Sequence, residues 1–395
     1  MTPSARVQAA IEILDAIIAA ARAGGAPADR VFADWFRTRR FAGSKDRRAV
    51  RELVYGAIRA CGPVPVTGRA AMLRLAQIDP VLAGLFDGGI HAPAPIDPAE
   101  PVAQGGVAPA WLERRLADSG VDHPEALLGR APLDVRVNAL KADRAAIDLP
   151  ASGELLVARH GLRFAPGTPV ESWPAYEQGL IEVQDGGSQL TCQAVEAQPG
   201  ETVVDLCAGA GGKTLALAAA MSSNGGGKGR LIAADVDRAR LQRLTPRAER
   251  AGAAWVETCL MNPGKEPEAL ADVAGRADAV LIDAPCSGTG TWRRNPEARW
   301  RLSEKELSRV TAIQSRLLDV AAGLVAPGGR IVFVTCSLLD AEGADQIAAF
   351  LARDPRWQAQ DLHLGAGTPR GDGLRLDPAH DGTDGFFVAR LKRVC

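Results

Sequence analysis

The chain has no C-x-x-C pair and no cluster of cysteine and histidine at zinc-ligand spacing. Its five histidines (His91, His123, His160, His363, His380) are scattered, so no metal site is expected. Seven cysteines are an odd number with no paired framework, which points to a reduced, cytoplasmic setting. Arg6, Glu12 and Asp15 interrupt the first apolar stretch, so it lacks the core of a signal peptide. No run approaches ~20 uninterrupted apolar residues, which excludes a helical membrane span. No repeat of fixed period is present. An excess of one charge sign is also missing, with 46 basic residues against 47 acidic. That balance does not advertise nucleic-acid binding, but a local basic face is enough for it.

What is present divides the chain. Its 395 residues leave room for two or three domains. Val7, Ala10, Ile11, Leu14, Ile17, Ile18 and Ala21 recur at helical spacing up to Gly24-Gly25, and Val50, Leu53, Val54, Ala57 and Ile58 repeat the pattern. Residues 87–109 are rich in Pro, Gly and Ala and read as a linker or long loop. Val135 to Asn138 form a candidate strand. From Thr202 onward, apolar strands at Val203–Leu206, Leu231–Asp235, Ala279–Ile282 and Ile331–Val334 alternate with helices, one of them starting near Ser303. Such alternation predicts a parallel α/β sheet covered on both faces. Phe386 to Leu391 would add a last, antiparallel strand, and Pro246 should end or kink the helix after Asp235.

The turn after the first of these strands reads Asp205-Leu206-Cys207-Ala208-Gly209-Ala210-Gly211-Gly212-Lys213-Thr214. A P-loop is refused by spacing, because cysteine occupies position 207 where that motif needs glycine. The dinucleotide pattern fails at Thr214. What remains is a close backbone approach at Gly209 and Gly211, with Asp235 ending the next strand where a carboxylate can accept from ribose hydroxyls. This suits an adenosyl ligand without a pyrophosphate, which points to S-adenosylmethionine. The plainer alternative is a tight turn beside a solvated aspartate.

Two cysteines follow strand ends, in Asp283-Ala-Pro-Cys286-Ser-Gly and Val334-Thr-Cys336-Ser. Ligands bind at that edge of an open α/β sheet. A nearby cation or helix terminus there lowers a thiol's pKa, whereas Cys61, Cys192 and Cys259 read as core. The chemistry that fits is methylation of cytosine C5. A thiolate adding to C6 makes C5 nucleophilic, and Asp283 is the candidate to relieve charge near N3 by donating a proton or hydrogen bond. A second thiol could assist release.

Together these motifs resemble the RsmB (Fmu/Sun) family of 16S ribosomal RNA cytosine-C5 methyltransferases. Arg136-Val-Asn-Ala-Leu-Lys141, Val183-Gln-Asp-Gly-Gly-Ser-Gln189, Arg293-Arg-Asn-Pro296 and Asp384-Gly-Phe-Phe387 also match that family's segments, and the likeness covers about residues 107–393. The resemblance implies a class I S-adenosylmethionine-dependent methyltransferase (Rossmann-like) sheet over residues 185–395. It further implies a small α+β RNA-binding subdomain over 107–184 and a helical NusB-like region, shortened and with its linker, over 1–106. It assigns Cys336 as the nucleophile and Cys286 to product release. Its cofactor contacts carry over to Cys207, Ala208, Gly209, Ala210, Gly211, Gly212, Lys213, Asp235 and Asp283. Met261 falls where the family has an aspartate on the adenine side, with Asn262 next door as a substitute.

For the partner, the expectation is RNA, with a single-stranded or loop cytosine as target and no membrane or metal. Arg37, Arg39, Arg40, Lys45, Arg47, Arg48 and Arg51 form one basic run, and Arg293, Arg294, Arg299 and Arg301 another. Each is read as a phosphate-contacting surface or a solvated face. Trp292 or Trp300 could stack on a base or pack internally. Transfer RNA as substrate, and a non-catalytic RNA-binding or assembly factor on the same fold, stay open as alternatives.

Overall fold

A computed structural model of the chain describes residues 1–39, 41–222 and 229–394. It divides into two compact units, Met1–Gly129 with Thr291–Ser303, and Arg130–Gly290 with Glu304–Cys395.

The first unit is helical. Its principal helices are Pro3–Arg22, Ala28–Arg37, Ser44–Ala60, Gly68–Ile78 and Ala110–Asp118. Thr2 starts the first by accepting from the Ala5 N–H, and Pro3 occupies the first turn, where no N–H is needed. The apolar stripe Val7, Ile11, Leu14, Ile18 meets Val50, Val54 and Ile58 and the buried Met72 in one core. The chain runs without helix or strand through most of 84–109, in keeping with its Pro and Gly content.

The returning segment Thr291–Ser303 corrects two sequence expectations. Arg299 has no exposed surface. Its guanidinium donates to the Ile58 and Cys61 carbonyls, both at 2.7 Å, and to that of Pro296, so it closes the carboxyl end of the Ser44–Ala60 helix. Trp300 joins the helical core and donates to the Gly62 carbonyl at 3.1 Å, and Trp292 is wholly buried. Neither ring is available to stack on a base. Arg301 donates to the Gly25 and Ala26 carbonyls, and Arg293 is buried. Two of the four residues of the second basic cluster, Arg299 and Arg301, are therefore internal backbone caps.

The second unit carries two sheets. The smaller one has the order β2-β3-β1-β4, with β1 Leu133–Val137, β2 Glu154–Leu155, β3 Gly161–Phe164 and β4 Ile181–Val183, all pairs antiparallel. The larger is nine-stranded among the described residues. It comprises β5 Thr202–Asp205, β6 Arg230–Asp235, β7 Glu257–Leu260, β8 Ala277–Asp283, β9 Val325–Thr335, β10 Trp357–Gln360, β11 Thr368–Arg370, β12 Gly373–Leu376 and β13 Phe386–Arg393. The path runs β11-β12-β13-β9-β8-β5-β6-β7, with β10 on β13. Strands β7, β6, β5, β8 and β9 are parallel neighbours, and β13 lies antiparallel to β9. This is the class I methyltransferase sheet. Its inner parallel strands β6, β5 and β8, with Ile331–Val334 of β9, are apolar on both faces, as burial under two helical layers demands, whereas the edge strand β7 is partly exposed.

Strand order reverses between β5 and β8, which opens a crevice at their carboxyl ends. The helix after β6 breaks at Arg243, between Arg238–Gln242 and Leu244–Ala251. Pro246 instead sits in the first turn of the second piece, where its missing N–H costs nothing. No helix among the described residues is long and apolar enough to cross a membrane.

Candidate active site

The sheet gathers residues far apart in sequence along one edge. Met261 follows β7, Asp235 ends β6, Cys207 follows β5, Asp283 ends β8 with Cys286 just beyond, and Cys336 follows β9. All six line one cavity. The spatial order of the strands puts Met261 at one end and the thiols at the other. The remaining turn residues, Ala208, Gly209, Ala210, Gly211, Gly212 and Lys213, are not among the residues that line the cavity.

Gly209 and Gly211 have φ of +55° and +87°, a backbone region that favours glycine. A Cβ on Gly209 would stand 2.5 Å from Arg240 Nη2, and one on Gly211 2.6 Å from Leu244 Cγ. The glycines are therefore needed for the turn and for packing against the helices that follow β6. The Gly209 N–H donates to Asp235 Oδ2 and the Asp237 N–H to Oδ1, each at 2.7 Å. Two backbone donors thus orient Asp235, and each oxygen keeps a lone pair for the cavity.

Asp205 is wholly buried and accepts from Thr214 Oγ1 at 2.7 Å, while its Oδ1 has no partner among the described residues. Burial, reinforced by Asp283 and Asp235 against the Thr214 bond and Lys213, pushes its carboxyl up to about 7. Cys207 is pushed well above the ordinary thiol value by burial and then by the Asp205, Asp283 and Asp235 charges, so it stays a neutral wall of the cavity.

Lys213 reaches forward from the Gly212–Met221 helix to Asp283, Nζ to Oδ2 at 2.8 Å, with the Phe386 ring 5.6 Å from the ammonium. Burial opposes the Lys213 charge most, but Asp283 together with the Cys192 and Cys336 sulfurs outweighs it, and the ammonium is held above its ordinary value. Asp283 is therefore one half of an ion pair. That alters the expectation of a lone carboxyl donating a proton, because the Asp283 carboxylate accepts from the Lys213 ammonium.

The two thiols meet. Cys286 Sγ and Cys336 Sγ are 3.3 Å apart. Cys286 is pushed well above the ordinary thiol range, first by its hydrogen bond to Cys336, then by burial, then by the Cys336 and Glu342 charges. The Gly290 N–H donates to the Cys336 carbonyl at 3.0 Å and the Gly385 N–H to that of Gly290 at 2.8 Å, so Asp384-Gly385 is stitched to both cysteine loops. Asp185 caps the Gly186–Gln193 helix and also accepts from the Asp384 N–H at 3.1 Å.

Residues outside the sequence expectations also build the site. Val236, Ile313 and Leu317 supply apolar wall, and the buried Glu266 is paired with Arg316 at 2.5 Å beside Met261. Asn262 is exposed and does not line the cavity, so it does not stand in for an aspartate; Met261 presents an apolar surface instead. Glu342, wholly buried, lies beneath both cysteine loops. A slot with apolar walls at one end, an oriented carboxylate in the middle and thiols at the other fits an adenosyl group extended toward a reactive centre.

The family model for the 16S rRNA methyltransferase RsmB/F matches residues 192–392. The chain belongs to the RsmB/F family. The ribosomal RNA small subunit methyltransferase B of Citrobacter koseri is 33% identical over 294 residues, 72% of this chain and 66% of that relative. The chain thus spans just under two thirds of the length of the curated relatives it matches. The crystal structure of PH0851 is 25% identical, with a TM-score of 0.75 over 100% of this chain and 99% of that one. A methyltransferase homolog protein from Pyrococcus horikoshii is also 25% identical, with a TM-score of 0.60 over 72% of this chain and 94% of its own. The RsmB/F match takes in the cavity residues from Cys207 to Cys336, so the site lies within the family's shared region.

Proposed function

We propose that this chain is an S-adenosylmethionine-dependent RNA methyltransferase that forms 5-methylcytosine in 16S ribosomal RNA through a covalent adduct on Cys336. The observation that carries this reading is the contact of two thiols at 3.3 Å, at the ends of strands β8 and β9, on the cavity that also holds Asp235 and Asp283. A protein that only binds RNA needs no such pair. S-adenosylmethionine, when bound, supplies an electrophilic methyl group on a sulfonium. Asp235 would accept from its ribose hydroxyls, Val236, Met261 and Leu317 would cover the adenine, and the turn from Cys207 to Lys213 with Asp283 would bound the remaining end.

The Cys336 thiolate forms a bond to C6 of the cytosine, and the C5–C6 π electrons move into the ring. The charge that develops around N3 is met by the ammonium hydrogen of the Lys213–Asp283 pair. C5 is then nucleophilic enough to take the methyl group. Release requires loss of the C5 proton and rupture of the S–C6 bond, with the C5–C6 double bond restored. Cys286 passes its proton to the departing Cys336 sulfur and takes up the C5 proton in exchange. One proton then returns to solvent and the Cys336 thiolate is regenerated.

The test is methylation of deproteinised 16S RNA with labelled cofactor by wild type, Cys336→Ala and Cys286→Ala. Cys336→Ala gives no product, and Cys286→Ala accumulates an RNA–protein adduct that survives denaturant. Full activity in Cys336→Ala would remove the nucleophile assignment. Methylation of transfer RNA alone would keep the chemistry and change the substrate. A wild-type protein that binds no cofactor would favour the RNA-binding-factor alternative.

A further inference from the structure

Glu342 is wholly buried, six residues beyond Cys336, in the turn Asp340–Glu342. Among the described residues its carboxylate has no cationic partner. It is instead surrounded by neutral donors from three segments. Oε1 accepts from the Ser287 N–H at 2.7 Å and from Gln314 Nε2 at 3.2 Å. Oε2 accepts from Ser337 Oγ at 2.5 Å and from Ser287 Oγ. Its own carbonyl accepts from Thr335 Oγ1 at 3.1 Å.

Ser287 directly follows Cys286, and Thr335 and Ser337 flank Cys336. Gln314, on the Glu304–Leu324 helix, also donates to the Pro285 carbonyl at 2.9 Å, one residue before Cys286. Thr289 completes the lattice, with its Oγ1 3.0 Å from Ser337 Oγ and accepting from the Leu338 N–H at 2.9 Å. One carboxylate therefore grips the residue after each thiol. A buried carboxylate is costly unless its lone pairs are filled, and here neutral donors fill them, leaving its negative charge uncompensated beside the thiols.

We propose that Glu342 is the positioning residue of this site: it clamps the two cysteine loops at thiol-contact distance and sets a buried carboxylate against the residue that follows Cys286. The inference rests on the reading of the pair as nucleophile and release thiol. The groups facing Cys286 are Cys336 and Glu342, both of which disfavour its ionisation, and the Gly288 N–H, which favours it. The carboxylate takes two bonds from Ser287, beside Cys286, and one from Ser337, beside Cys336. Glu342 touches neither substrate nor cofactor and acts through the loops.

The experiment compares full-length wild type with Glu342→Gln, which keeps the span and removes the charge, and Glu342→Asp, which keeps the charge and shortens the span. S-adenosylmethionine binding is measured by calorimetry, and iodoacetamide labelling of Cys286 and Cys336 is followed by mass spectrometry from about pH 6 to 9. Turnover on 16S RNA is measured alongside. Cofactor affinity stays within about twofold in both variants, as expected for a residue off the cavity wall. In Glu342→Gln, Cys286 labelling at about pH 8 rises roughly threefold or more. In Glu342→Asp it stays slow, while kcat falls about tenfold with KM little changed. Should Glu342→Gln not fold, the double variant Ser287→Ala/Ser337→Ala removes the two hydroxyl grips and is expected to lose kcat likewise. Wild-type labelling and turnover in Glu342→Gln and Glu342→Asp would overturn the proposal. Shifted labelling in a protein without methylation activity would leave the clamp standing and sink the functional reading instead.

Discussion

The sulfur atoms of Cys286 and Cys336, fifty positions apart in the chain, stand 3.3 Å from each other. They arrive there because β8 and β9 are parallel neighbours in register, Asp283 opposite Val334, so the loops leaving both strands emerge side by side. A thiol pair this close shares its protons, and the high value at Cys286 follows first from its bond to Cys336.

That coupling has a direct consequence for reactivity. In wild type, Cys286 is expected to react slowly with iodoacetamide at neutral pH. Cys336→Ala removes the largest cause of its raised value, so Cys286 labelling should accelerate in that variant, by about fivefold or more at pH near 8. Peptide mass spectrometry after timed quenching reads the rate. An unchanged Cys286 rate would mean that burial alone protects it.

Lys213 and Asp283 act as one unit, 2.8 Å apart. Lys213→Met and Asp283→Asn are each expected to lower kcat by about 100-fold, because the first removes the ammonium donor and the second the carboxylate that aims it. The double variant should be little worse than the worse single one, since the second change removes an interaction already lost. Additive losses in single-turnover assays would show two independent roles.

Asp205 links stability to pH. Its folded value, about 7, lies above the unfolded carboxyl range near 4. A group raised on folding contributes stability that is complete below its unfolded value and is lost as pH rises through its folded value. The thermal midpoint of wild type should therefore carry a fall between about pH 4 and 8 that Asp205→Asn lacks. Equal slopes in scanning calorimetry would show that Asp205 ionises without cost.

The basic residues separate into two kinds. Arg299→Met should destabilise the helical unit by about 2–4 kcal/mol in denaturant titrations, because it strands the Ile58 and Cys61 carbonyls in a buried site. Lys45 and Arg48 are exposed, and replacing either with alanine should shift stability by no more than about 0.5 kcal/mol. Each such change should instead lower the slope of log RNA affinity against log salt by about 1. Salt slopes that stay fixed would take these two residues off the RNA-contacting surface.

The first basic run explains why charge alone misleads. Arg39 lies 3.8 Å over the Trp35 ring, and Arg47 and Arg51 lie over Phe36, Phe32 and Tyr55. Their guanidiniums cover aromatic faces as well as carrying charge. Arg40, in the same run, lies outside the described residues.

The α/β order, the strands that end in Asp205, Asp235 and Asp283, and the placement of two thiols past strand ends were all legible as local pattern. They depend on apolar periodicity and on turn chemistry, which act over a few residues. The class of the sheet and the candidate cysteines followed from these, and the family likeness from the motifs they sit in. The break at Arg243 was placed at Pro246 instead, because a proline stops a helix in its interior but suits its first turn, and only the observed helix start distinguishes the two cases.

Other features required the assembled molecule. The sequence carries Cys286, Cys336 and Glu342 as separate residues, and only the parallel pairing of β8 with β9 makes the two thiols a coupled pair over one buried carboxylate. Asp283 reads as a lone acid until the Gly212–Met221 helix brings Lys213 to it. Arg299 and Trp300 look like surface chemistry until the chain returns them to the helical core. The physical reason is common to all of these. Periodicity and turn propensity are short-range properties carried by neighbouring residues, whereas protonation, ion pairing and burial depend on the few ångströms around a side chain, which are filled by residues from distant parts of the chain.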